Sequence, residues 1–137
     1  MRHILASIVL IVLLFSTLAL GETMKDLVVM DGLYYKKFTD VPFTGKVTGE
    51  YQGSFKDGKR DGLWVSYYYN GQLIWKGNYK DGKVDGSFVS YYDNGQLQSQ
   101  GTSKDGEMEG PWVSYNKDGI VDEEYTGTFK DGEKISD

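Results

Sequence analysis

The residues best suited to chemistry are acids spaced four apart in glycine-rich stretches: Asp57 and Asp61 in KDGKRDG, Asp81 and Asp85 in KDGKVDG, Asp105 and Glu109 in KDGEMEG. Hard oxygen ligands on flexible loops are what calcium requires. The spacing fits neither an EF-hand loop nor a nonapeptide calcium roll, and Asp-Gly is an ordinary way to turn a chain. No metal and no cofactor is expected. Paired carboxylates also serve glycoside hydrolysis, but each of these acids adjoins a glycine in a solvated turn, where its chemistry stays ordinary. The only histidine is His3 and there is no cysteine. Beyond residue 3 the chain therefore lacks an imidazole base, a thiol nucleophile and zinc ligation through either. The chain reads as non-enzymatic.

Aromatic side chains are the better functional candidates. Trp64, Tyr68, Trp75, Tyr79, Phe88, Tyr92 and Trp112 recur at matched positions. If they share one face of a sheet and stay open, they form a strip that binds a partner; if they pack against one another and against the segment from Leu27 to Tyr35, they are scaffold.

The N-terminus narrows the setting. Arg2 precedes an apolar run from Ile4 to Leu20, then Ala19-Leu20-Gly21 places small residues where a signal peptidase cuts. A cleaved secretory signal over residues 1–21 is expected, making the protein periplasmic or secreted. The run of about 17 residues is at the lower limit for a membrane span, so an uncleaved envelope tether is the alternative. Without Arg2 the cations fall from 15 to 14 against 20 carboxylates, a formal charge of −6. The cations are outnumbered by carboxylates and form no basic stripe, so neither nucleic acid nor an anionic membrane surface is a natural partner. Once the signal is removed, no membrane insertion is expected.

The elements that must position the rings come from a repeat. GSFKDGKRDGLWVSYYYNGQLIWK starts at Gly53, GNYKDGKVDGSFVSYYDNGQLQSQ at Gly77 and GTSKDGEMEGPWVSYNKDGIVDEE at Gly101, a period of 24. A truncated copy, GTFKDGEK, starts at Gly127 after a two-residue insertion within 121–126, and DGLYYKKF with FTGKV upstream read as a degenerate leading copy. Short apolar runs between Gly-rich turns, without helical periodicity, predict serial β-hairpins. Asn70-Gly71, Asn94-Gly95 and Asp118-Gly119 are expected to form two-residue type I′ turns, with the KDGKxDG stretches as longer connections. Pairing then sets Tyr69 against Gln72, Tyr68 against Leu73, Tyr67 against Ile74, Ser66 against Trp75 and Trp64 against Gly77. Trp64 would cover Gly77, and Phe88 would cover Gly101. Of the three tyrosines 67 to 69, two recur and one does not: Tyr69 becomes Asp93 and then Lys117.

The pattern G-x-[YF]-K-D-G-K-x-D-G-x-[WF]-x-x-Y-Y-x-N-G-Q-L resembles the MORN-variant repeat of bacterial, often antitoxin-like, proteins. The resemblance covers about residues 43 to 134; the third copy departs, with Asn116 for the second tyrosine and Ser103 for the strand aromatic. It implies an all-β, elongated, single-layer antiparallel sheet of hairpins over 45–137, preceded by a leading or capping segment over 22–44. It implies binding or assembly, and no catalytic residues.

The first functional expectation is a protein-interaction or scaffold module of the cell envelope or extracellular space. A cell-wall or matrix glycan-binding module is the alternative, and an antitoxin-like or immunity protein a more distant one. Terminal strands with free backbone groups, such as the end near Lys134, also offer self-association. N-terminal sequencing of the exported chain should begin at Glu22; a membrane-bound chain retaining Ile4 to Leu20 would replace the signal peptide with a tether.

Overall fold

The computed structural model describes residues 21–137; the expected signal peptide, apart from its last residue, lies outside the described residues. Apart from one 3-10 turn at Met24–Asp26, the regular elements are strands. β1 (Leu27–Met30) and β2 (Leu33–Lys36) form a separate hairpin. The other nine strands form one antiparallel sheet: β3 (Gly45–Val47), β4 (Tyr51–Lys56), β5 (Lys59–Tyr67), β6 (Leu73–Lys80), β7 (Lys83–Tyr91), β8 (Leu97–Lys104), β9 (Glu107–Ser114), β10 (Gly127–Lys130) and β11 (Glu133–Ser136). Each strand pairs with its chain neighbours, so the sheet is a continuous meander.

The single-layer expectation is corrected at the N-terminal end. A lone sheet has no second element against which to bury Phe55 and Trp64. The β1–β2 hairpin supplies one: Leu27 joins Val47, Phe55 and Trp64 in the core, with Tyr34 and Phe43 packed against it.

The two turn types are reversed from the sequence expectation. Lys-Asp-Gly-Lys, or Lys-Asp-Gly-Glu in the third copy, makes the two-residue turn: φ is 49° and 78° at Asp57 and Gly58, 50° and 82° at Asp81 and Gly82, and 50° and 84° at Asp105 and Gly106. Positive φ at both central residues defines type I′. At the Asn-Gly sites only the glycine is left-handed, 82° at Gly71 and 81° at Gly95. Tyr68 N donates to Gln72 O at 2.8 Å and Gly71 N to Tyr68 O at 2.9 Å, a type I turn closed by a left-handed glycine in a three-residue loop. The Asn70 carboxamide oxygen supports it by accepting from Gln72 N at 3.0 Å, and Asn94 does the same for Gln96 N at 2.9 Å.

What selects the tight turn is the preceding repeat. A two-residue turn leaves the amide of its second residue unpaired within its own hairpin. Here Gly82 N donates to Arg60 O at 3.0 Å, Gly106 N to Val84 O at 2.8 Å and Gly132 N to Met108 O at 3.0 Å. The Asp-Gly turns thus stack along one edge of the sheet.

The register near the Asn-Gly loops shifts as a result. Ser66 faces Trp75 and Trp64 faces Gly77 as expected, but Tyr67 faces Leu73, leaving Ile74 as a bulge. A larger bulge lies at the second glycine of each connection. Ser54 pairs with Asp61 and Gln52 with Val65, so Gly62, Leu63 and Trp64 stand against Gly53 alone. The β6–β7 pair repeats this between Gly77 and Tyr79, and the β8–β9 pair between Gly101 and Thr102. Pro111 falls within the last bulge, where its missing N–H costs no ladder bond.

These bulges reverse the direction in which the rings lean. Trp64 lies over Gly53, Phe88 over Gly77 and Trp112 over Gly101. Each ring covers the glycine of the preceding strand, not the following one. The indole N–H groups follow: Trp64 Nε1 donates to Ser54 O at 3.0 Å and Trp112 Nε1 to Thr102 O at 2.6 Å. Gly53→Ala and Gly101→Ala should each lower stability by about 1–3 kcal/mol in urea denaturation. Gly77→Ala should cost less, because a Cβ there would stand 2.9 Å from Phe88, farther than from either indole. Equal losses at the three sites would refute this account.

Candidate interaction surface

One sheet face gathers the expected site residues, but it does not expose them equally. Trp64 is fully enclosed (0%) and Trp112 nearly so (9%). Trp64 is therefore corrected from contact residue to support. Tyr68, Trp75, Tyr79, Phe88 and Tyr92 are half-buried. Trp75 stacks on Phe88 with centroids 6.3 Å apart and planes 20° apart, and Phe88 meets Trp112 at 6.2 Å. Tyr79 packs on Trp75 at 6.2 Å and on Trp64 at 6.4 Å. The rings are one connected band.

Tyr68 and Tyr92 have a second task. Their hydroxyls donate to Tyr91 O at 3.3 Å and Tyr115 O at 2.9 Å, each one repeat onward. Tyr69, the tyrosine that does not recur, is fully exposed (100%).

Arg60 is a residue that the sequence reading missed. Its guanidinium carbon lies 4.7 Å from the Trp64 ring centroid, 5.3 Å from Tyr79 and 6.0 Å from Trp75. It donates to the Tyr79 hydroxyl at 3.4 Å, while its buried Nε has no hydrogen-bond partner. A signal was available: Arg60 is the one arginine after Arg2, at a position taken by Val84 and Met108 in the following copies.

The acid pairs have a backbone role. Asp85 accepts from Asp105 N at 3.2 Å and Glu109 from Asp131 N at 3.1 Å, so the second acid of one repeat caps the turn of the next. Thr44 takes that place for Asp57 N at 2.8 Å. Among the described residues no group of three or more histidine, cysteine, aspartate or glutamate side chains could hold a metal ion.

At the far end of the same face lies an open cleft of about 310 Å³ bounded by Tyr92, Ser99, Trp112, Ser114, Asp122 and Tyr125, among others. The insertion supplies Asp122 and Tyr125. Thr126 anchors it by accepting from Ser114 N at 2.9 Å and donating to Ser114 O at 3.2 Å. The neighbouring Glu124 carboxylate raises the pKa of the Tyr125 phenol by its charge and by a hydrogen bond, with burial and Asp122 adding to the effect.

The fold and face define a class: a β-hairpin repeat array with an aromatic band. Residues 60–81 and 84–105 each match the family described as MORN repeat variant, so these two segments are similar to that family's repeat. No curated protein matches the chain. The tight-turn geometry continues beyond the matched segments, at Asp31-Gly32 before them and at Asp131-Gly132 after them. MORN repeats are in general interaction modules for proteins and membranes. No helix among the described residues is long and apolar enough to cross a membrane.

Trp64→Ala should cost about 3–5 kcal/mol in urea denaturation. Arg60→Met, which removes an unpaired buried donor and installs the side chain found at Met108, should stay within about 1 kcal/mol of wild type. A larger loss would make the guanidinium a principal support of the rings.

Proposed function

We propose that this protein is an exported, non-enzymatic scaffold whose half-open aromatic band, centred on Trp75, Tyr79 and Phe88, holds a partner protein presenting an apolar hairpin or extended segment. The observation that carries this reading is how the chain covers the start of its own band. The β1–β2 hairpin lays Tyr34 against Phe55 at 4.7 Å. It also ties itself down through Tyr34 N to Gly58 O and Phe43 N to Tyr34 O, both at 2.8 Å. A segment of the same chemistry, apolar side chains plus free backbone groups, would continue that cover over Trp75 and Phe88. The partner also meets an acidic chain, so a neutral or basic segment is favoured.

The test is cross-linked capture from the native envelope with wild type and Trp75→Ser, a change that copies what Ser99 supplies one repeat later. The expected result is one protein that binds wild type directly once purified and binds the variant at least about tenfold more weakly, on the order of 1.4 kcal/mol. Undiminished binding to the variant, or no protein partner at all, would overturn the reading.

A further inference from the structure

The aromatic ladder has a gap. Two residues before the repeat glycine the chain places Tyr51, Trp75, Ser99 and Tyr125; two residues after it, Phe55, Tyr79, Ser103 and Phe129. β8 is the only strand of the series that lacks both rings. Ser99 lines the 310 Å³ cleft together with Trp112, Tyr92 and Tyr125. That volume is at the lower end of small-ligand sites, which begin at roughly 300 Å³.

We propose that this cleft is a binding site for one neutral pyranose unit of a glycan, with an apolar sugar face against the rings and its hydroxyls on Ser99, Ser114 and Asp122. The chemistry of the lining selects this class. A pyranose has flat C–H faces and a rim of hydroxyls, so it needs rings and mixed donors and acceptors together. The Ser99 hydroxyl is already oriented by Ser90 at 2.8 Å, and Asp122 is held on one oxygen by Glu124 N at 3.1 Å. No lysine or arginine lines the cleft, which disfavours phosphates and uronates. An organic cation is disfavoured because the Lys117 ammonium already lies 5.9 Å from the centre of the Tyr92 ring. The two-residue insertion supports the assignment, since Asp122 and Tyr125 reach the cleft through it. This proposal is independent of the protein-scaffold reading, because it uses the opposite end of the face from the hairpin.

The experiment is isothermal titration of the purified chain with glucose, mannose, galactose and N-acetylglucosamine and their short oligomers, with tetramethylammonium as the cationic comparison. At least one sugar should bind with a Kd on the order of 1 mM or tighter and perturb Trp112 fluorescence. Ser99→Trp, which restores the ring that Trp75 provides one repeat earlier, should fill the cleft and reduce binding at least about tenfold while circular dichroism stays unchanged. If Ser99→Trp does not fold, Asp122→Asn decides the matter, because it keeps an oxygen for Glu124 N while removing the charge that accepts sugar hydroxyls. Unchanged affinity in Asp122→Asn, or in a folded Ser99→Trp, would overturn the site. So would binding of tetramethylammonium without any sugar, or no binding at all.

Discussion

The fold depends on one contact, the aromatic ring laid over a glycine of the preceding strand. A side chain at Gly53, Gly77 or Gly101 would occupy the space that Trp64, Phe88 or Trp112 fills. The contact works only because the bulges place extra residues on the strand bearing the ring, so that the ring leans back against the direction of the chain. Gly62, Gly86 and Gly110, with φ of 79°, 115° and 75°, make those bulges possible. Two kinds of glycine therefore serve one purpose. One bends the strand that offers the ring, and the other clears the floor that receives it. The product is a sheet whose apolar mass is concentrated in one band, which a chain with little aliphatic content can still bury.

Coupling between repeats is additional to the strand ladders and follows the same period. Glycine amides of the tight turns bond to carbonyls one repeat earlier, Asp85 and Glu109 cap the turns that follow, and Tyr68 and Tyr92 reach carbonyls one repeat ahead. Each unit is thus joined at both edges and across its face to its nearest neighbours. Stability in such an array is close to a sum of units and interfaces. The first unit receives the β1–β2 hairpin as an additional cover, and there Trp64 is fully enclosed while Phe88, its counterpart one repeat later, is half-buried.

The period, the strands and the pairings of Ser66 with Trp75 and Trp64 with Gly77 follow from alternation and spacing, which are local. The turn types do not. Asn-Gly and Asp-Gly both accept a type I′ turn, and what separates them is a bond from the Asp-Gly amide to another repeat, together with the Asn side chain closing its own loop. Neither is visible in a dipeptide. The lean of Trp64 onto Gly53 was likewise hidden, because a bulge adds residues on one strand only and alternation cannot locate it. In the candidate site, the band of rings was readable as a set, whereas the enclosure of Trp64 and the placement of Arg60 depend on a hairpin and on neighbours distant in sequence. The cleft needed two facts at once, the missing rings at Ser99 and Ser103 and the course of the inserted segment, and only the first is written in the repeat.

The departures from the repeat are where individuality enters. A position whose residue type is held through the copies, such as Ser66, Ser90 and Ser114 or the Asp-Gly turns, answers to the scaffold. A position that changes freely answers to something else or to nothing. Tyr69, Asp93 and Lys117 occupy equivalent loop tips; the first is bare to solvent and the last two pair with each other at 3.2 Å, an exposed contact of small energetic value. Arg60, Val84 and Met108 share a position beside the band, and only the first is charged. Trp75, Ser99 and Tyr125 share another, and there the change removes a ring, opens a cleft and then replaces the ring on an inserted segment. Because the rings covering glycines and the stacked turns carry the fold, these positions can vary without endangering it. A nearly regular sheet can thus present a different surface along its length, closed over Trp64, half-open at Trp75 and Phe88, and notched at Ser99.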